Sequence, residues 1–396
     1  MLLKWGRGLS VRVSEMKYRG LKIIYLTVLT ARPIKNASTV SFLFSKLYEF
    51  LKDARAKVLL EKIYGLPSLR DETAAIRNRR IAVMRENTKI PFTYIGSVPC
   101  VGGKIAGVQI IGVIQDGKKT RVDTIFFNEE PIGRVFETDD FKGIYLSGVS
   151  GLQKDGNAGK QSAVRQVEYI VKLCQDVLSR QGVTAKHIIR TWIYLPRILS
   201  WYKRFIKIRA KFFKEFGLIS GNKTYLPAST GIQGVGRPKE EIFLDLIAFV
   251  PKKKRVGSAS IMRSDRQNEA SRYGATFSRG VEVRTDNSSL LHISGTASIN
   301  QKGKTIYLHD AQGQITQTLI NIGALLETRK AYLKDIVLTA AYCKNRRTYT
   351  TFKDVTKYLG LDEIPFVPVY ADVCRDDLLF EIDAIAVKQH GLKNGK

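Results

Sequence analysis

The run FEIDAIAV, Phe380 to Val387, sets two carboxylates in a stretch that otherwise reads as a buried strand. Side chains alternate along a strand, so Glu381 and Asp383 share one face while Phe380, Ile382, Ala384 and Ala386 take the other. A carboxyl in a dry cleft holds its proton to a higher pH than in water and can then act as a general acid. The plain alternative is a charged outer face or a salt bridge to one of the many arginines. Cys374 lies seven residues before Glu381 and Arg375 six. An arginine offers a planar fork that grips carboxylates, and a lone cysteine is either a pocket wall or a small core residue.

An internal repeat shows which elements must position these groups. Residues 162–195 and 310–343 correspond without a gap at an offset of 148, with Ile188 on Ile336, Thr191 on Thr339 and Tyr194 on Tyr342. Val167, Val171, Cys174, Val177 and Leu178 predict one apolar helix face, and Ile315, Leu319, Ile322, Leu325 and Leu326 repeat it. HIIRTWIY and DIVLTAAY then read as strands. The segments IYLSG (Ile144 to Gly148) and LHISG (Leu291 to Gly295) read as strand-to-turn junctions ahead of each helix. A second helix follows in each copy, around Trp201 to Phe216 and Tyr349 to Tyr358, and the copies close with IFLDLIAFV and FEIDAIAV. Aligning these closing strands sets Asp383 on Asp245 but Glu381 on Phe243. The aspartate therefore reads as architectural, whereas a fold that accepts Phe at the glutamate position does not itself require the acid.

A weaker third copy precedes these two. TYIGSVPCVGG (Thr93 to Gly103) parallels TYLPASTGIQG (Thr224 to Gly234), and Ala106 to Gln115 serves as its closing strand. Its helix is expected over Val40 to Asp53, with Phe42, Leu43, Leu47, Phe50 and Leu51 inward. The repeat implies an α+β fold of consecutive units at 20–120, 121–255 and 258–392.

Composition fits such a protein: 396 residues, 44% hydrophobic and 26% charged. Neither a membrane-length apolar run nor a secretory signal is evident, which points to a cytoplasmic protein that meets no membrane. Cys100, Cys174, Cys343 and Cys374 form no C-x-x-C pair, so neither a zinc site nor a disulfide framework is indicated, and nothing asks for a cofactor. The net charge of +29 would attract polyanions, yet no RNP-type aromatic motif or C2H2 spacing accompanies it, which weighs against nucleic acid as the partner. PKKKRVG (Pro251 to Gly257) has the composition of a nuclear import signal, but its place between two units reads as a charged linker.

SGTASI (Ser294 to Ile299) and CRDDLLFEIDAIAV closely resemble signature elements of the RidA/YjgF fold. RTWIYLPRILSWYKRFIKIRAKFFKEFG from Arg190, YLPASTGIQG (Tyr225 to Gly234) and YGATFSRG (Tyr273 to Gly280) further resemble the chorismatases, large relatives of that family. The likeness spans about residues 90–390. It implies three consecutive RidA/YjgF-like (chorismate-mutase-like) domains forming a pseudo-trimer in one chain, a monomer in solution, and a site between the central and C-terminal domains.

The implied substrate is chorismate, whose two carboxylates ask for arginines; Arg209, Arg279 and Arg375 are the candidates in these segments. Glu381 would protonate the enolpyruvyl methylene carbon to release pyruvate, and a cysteine at Cys374 goes, in the family, with a hydroxybenzoate rather than a dihydroxycyclohexadiene carboxylate. Tyr225, Ser229, Thr230 and Gly231 would line one wall, with turn N–H groups of ASTG holding a carboxylate, and Ala297 the other. Relatives tend to carry a Gly-His loop after SGTASI, where this chain has NQKGKTIYLHD. The alternatives are an imine or enamine hydrolase like the small relatives, and a basic RNA-binding module.

Overall fold

The computed structural model describes residues 1–78, 90–115, 120–153, 161–220 and 223–390. Helix starts follow the local chemistry. Asn36, Ser162, Asp310 and Asn345 each turn a side-chain oxygen onto a backbone N–H three residues on, opening Ala37–Asp53, Ala163–Arg180, Ala311–Glu327 and Arg346–Tyr358. The Ala311–Glu327 helix buries the expected face, including Ile315, Leu319, Ile322, Leu325 and Leu326. In Ala163–Arg180 the buried face is rotated: Ile170 and Leu173 are inside and Val171 is only half-buried. In Ala37–Asp53, Val40, Phe44 and Tyr48 join Leu43, Leu47 and Leu51 inside, while Phe42 and Phe50 sit at the margin. The aromatics expected inward lie at the edge of an apolar stripe wider than the spacing of the largest residues suggests.

The chain folds as three consecutive α+β units, each a sheet with helices packed on one face. The first sheet runs Leu2–Gly6, Leu9–Tyr18, Leu21–Thr30, Ile105–Gln115, Lys57–Gly65, Thr93–Gly96. Its first two strands lie ahead of residue 20, where the unit was expected to begin, and LSVRVSEMKY pairs along its whole length with Leu21–Thr30. The second sheet uses strands between Arg121 and Pro251, and the third those between Gly257 and Gln389 together with the short Val98–Pro99. In each unit the closing strand is inserted between the strands that flank the first helix, and one parallel pair is joined through the second helical segment.

IYLSG and LHISG are not turns. Phe141–Ser150 and Ser288–Ala297 continue through them, and the register slips between Leu146 and Val149 and between Ile293 and Thr296. The glycine of each SG pair marks a β-bulge, at φ 58° for Gly148. ASTG is likewise no turn, since Ala228–Ile232 is a strand parallel to Ile188–Tyr194.

Three hydrophobic clusters fill the helix-to-sheet layers, one per unit, and a fourth draws side chains from all three sheets, among them Tyr64, Trp192, Tyr194, Leu338 and Tyr342. The open faces of the sheets thus meet in a shared centre, the internal equivalent of a trimer interface. Bridges join the units in a ring: Gly96 to Val235, Ala228 to Ser278, and Val369 to Pro99. The centre also holds charge. Lys62 of the first unit faces Asp245 of the second at 3.5 Å, and Arg190 of the second faces Asp383 of the third at 3.3 Å. Among the described residues no helix is long and apolar enough to cross a membrane.

Candidate active site

Glu381 lies in the middle of the third sheet, opposite Ala297 on one side and Tyr342 on the other. It is 4% exposed. The bulge at Ser294–Gly295 makes room for it, because a Cβ on Gly295 would collide with Glu381 Oε1 and crowd the Thr230 methyl of the second unit. Burial pushes the Glu381 carboxyl up to about 8, Asp383 adds to the rise, and Arg190 and Arg375 oppose it. At neutral pH the side chain is an acid still carrying its proton.

Asp245 and Asp383 occupy matching places, opposite Trp192 and Ala340 beside their bulges. Asp245 accepts from Gly148 N–H at 2.8 Å, from the Tyr194 hydroxyl at 3.2 Å and from Thr93 Oγ1 of the first unit. Asp383 accepts from the Tyr342 hydroxyl at 3.2 Å and pairs with Arg190, whose Nη2 donates to Thr230 Oγ1 at 2.7 Å. Arg190 is fully buried and stacks its guanidinium 4.2 Å from the Trp192 ring centroid. Its sequence signal is slight: a single arginine set inside the largely apolar strand IIRTWIY.

The wall from the second unit is built by Ser229 and Thr230. Ser229 N–H donates to Ser294 Oγ at 2.8 Å, and Ser294 Oγ donates to Ser278 O at 2.6 Å. The Ser229 amide is therefore already committed across the unit boundary, not held ready for a carboxylate as the turn reading required. Ser229 Oγ receives Thr191 Oγ1 at 2.9 Å and Arg209 Nη1 at 3.4 Å, and Arg209 Nε donates to Thr276 Oγ1 at 3.0 Å. Arg209 is 4% exposed, and its Nη2 has no hydrogen-bond partner among the described residues. Tyr202 and Cys374 stand beside it, and the Tyr202 ring packs on Gly231.

Cys374 is half-buried; burial and the nearby Glu381 push its thiol up to about 12, so it is no thiolate nucleophile. Arg375 Nη1 donates to Gly303 O at 2.7 Å, fastening the NQKGKTIYLHD loop beside the acid. Arg279 directs Nε and Nη2 to Asn268 O, both at 3.0 Å, and so ties down the irregular segment that also carries Thr276. Tyr225 joins Lys186, whose ammonium lies 5.3 Å from its ring centroid, and its N–H bonds to Leu218 O. The structure thus gathers Glu381, Cys374, Arg375, Arg209, Ser229, Thr230, Gly231 and Ala297 at the boundary of the second and third units. Arg279 fastens the segment at Asn268, and Tyr225 faces Lys186.

Comparison with known proteins bears on this boundary. The family model described as Endoribonuclease L-PSP matches residues 270–388. A RutC family protein of Pyrococcus horikoshii is 31% identical over 102 residues, 26% of this chain and 81% of that protein. The chain belongs to the RutC family. A second RutC family protein, of Saccharolobus solfataricus, is 28% identical over 113 residues, 28% of this chain and 86% of that one. The Endoribonuclease L-PSP model takes in Glu381, Arg375, Cys374 and Ala297, whereas Arg209, Ser229 and Thr230 come from a unit that it leaves out. The crystal structure of a chorismatase aligns over 83% of this chain and 92% of its own with a TM-score of 0.55 at 18% identity, a likeness of fold across all three units.

Proposed function

We propose that the chain is a chorismatase-type enzyme that cleaves the enolpyruvyl ether of chorismate and releases pyruvate. The observation that carries this reading is the buried, protonated carboxyl of Glu381. It sits where the second unit offers Phe243 and the first, opposite Tyr64, offers Gly107. Of three related positions, only the one beside the Gly295 bulge and Thr230 holds an acid.

A vinyl ether is opened by protonation at its terminal carbon. Glu381 gives its proton to that methylene, the C=C electrons take it up, and an oxocarbenium ion results. Water adds to the cationic carbon and loses a proton to the carboxylate, and the hemiketal collapses to pyruvate and a dihydroxycyclohexadiene carboxylate. Loss of water from that ring would give a hydroxybenzoate, the outcome associated with Cys374. Arg375 and Arg209 are suited to the two carboxylates, Arg209 through its unpartnered Nη2 and Arg375 beside the acid. Arg279 acts through the segment that it fastens at Asn268 O.

The test is direct: purified protein is mixed with chorismate and pyruvate is followed with a lactate dehydrogenase couple. Pyruvate formation that Glu381→Gln abolishes supports the proposal. If chorismate persists while small imines or enamines are hydrolysed, the reading moves to the deaminase-like alternative.

A further inference from the structure

The boundary between the first and second units repeats the architecture around Glu381, yet it encloses a cavity of about 400 Å³ that the proposed reaction does not use. The correspondence runs residue by residue. Ser147–Gly148 form the bulge that matches Ser294–Gly295, and Thr93, opposite Lys62 in its parallel pair, matches Thr230, opposite Trp192. Arg237 stands six residues before Phe243 as Arg375 stands six before Glu381. Phe243, 2% exposed, takes the place of the acid.

The cavity is lined by Arg70, Phe92, Phe127, Tyr169 and Arg237 and by Ser147 at the bulge. Ser294 Oγ spends its bonds on Ser229 N–H and Ser278 O, whereas Ser147 Oγ, in a residue only 4% exposed, has no hydrogen-bond partner among the described residues. Arg70 Nη1 is also buried and unpartnered among them. Glu240, the carboxylate beside Arg70, is already occupied by Arg237 N–H at 2.7 Å and by Ser150 Oγ. Two further acids on the wall, Asp71 and Glu130, are exposed.

We propose that this cleft is a second ligand site, which binds a small organic carboxylate with an apolar or ring body and does not turn it over. Arg70 and Arg237 hold the carboxylate, Ser147 donates to one of its oxygens, and Phe92, Phe127 and Tyr169 cover the body. With Phe243 in place of an acid, no side chain there corresponds to the proton donor Glu381. The inference rests on the cavity and its unpartnered donors, and stands whether or not chorismate is the substrate at Glu381.

The test is calorimetric titration of the full chain with 3-hydroxybenzoate and, separately, with pyruvate. The parent is expected to bind at least one of them. Arg70→Met should weaken that binding about tenfold to a hundredfold, the worth of a charge-assisted hydrogen bond, and Arg237→Met should do likewise. Arg375→Ala should leave it in place. A circular dichroism melt at the parental temperature certifies each variant, and Arg237→Lys, which keeps the charge, should bind between parent and Met. No binding by the parent at millimolar probe, or equal binding by correctly folded Met variants, overturns the second site. Loss of binding in Arg375→Ala alone would assign the carboxylate to the Glu381 cleft instead.

Discussion

Glu381→Gln removes a titratable proton from the third sheet while keeping the side chain's shape, and its effect on stability can be worked out from burial. The carboxyl titrates near 8 in the folded chain against an ordinary 4.5 when exposed. Between those values the folded state keeps the proton that the unfolded chain releases, so the contribution of Glu381 to parental stability is greatest below pH 4.5 and is lost as pH rises to about 8. At about 1.4 kcal/mol per pH unit, the loss reaches roughly 3 kcal/mol at pH 7 and levels off near 5 kcal/mol above pH 8.

Glutamine has no such dependence, so the stability difference between variant and parent should widen by these amounts with pH. A constant offset from packing the amide cancels in that comparison. Urea unfolding of both proteins at pH 5, 7 and 9 measures it. Parallel stability profiles would mean that Glu381 titrates normally and is no neutral-pH acid. The same variant should lose on the order of 10² to 10⁴ in pyruvate-forming kcat with KM little changed, and the parental rate should fall as pH rises through about 8.

Arg375→Ala should raise KM for chorismate more than it lowers kcat, because a carboxylate grip acts in ground and transition states alike; steady-state kinetics separates the two. Gly295→Ala sets a methyl group against Glu381 Oε1, and a misplacement of about 1 Å at the acid is worth about 10²-fold in rate, so a near-parental rate in this variant would contradict the bulge's role. Arg190→Met strips the partner from the buried Asp383 and should cost about 3 to 5 kcal/mol in urea unfolding at pH 7, whereas the double variant with Asp383→Asn should recover part of that loss. Light scattering of the purified chain should give a monomer, since the sheet faces that would meet in a trimer are buried within the chain.

Much of this protein could be read from its sequence because the information is local and repeated. A gapless offset of 148 carries the first helix and the strand after it from one unit to the next, and the closing strands, at a separate offset of 138, set Asp383 on Asp245 but Glu381 on Phe243, which marks Glu381 as the position the fold itself does not require to be charged. Capping residues and alternation act within a few positions of the chain, so they survive without knowledge of the fold. Pairing decisions are of another kind. Whether SG ends a strand or bulges it depends on the closing strand that pairs across it, as where Asp245 accepts from Gly148 N–H. The Ser229 amide belongs to Ser294, far along the chain.

The arginines show the same limit. Nothing in RTWIYLP says that Arg190 will be fully buried against Asp383, or that Arg279 will spend its guanidinium on a carbonyl, because a long cationic side chain takes its meaning from whatever charge the fold brings within about 4 Å. The sequence alone determined the three-unit plan and singled out Glu381 as the candidate acid. The raised pKa of Glu381, its cationic neighbours and the second cleft, where Phe243 stands in the place of the acid, came only with the tertiary structure, since desolvation and charge pairing arise where strands from different units close around one point.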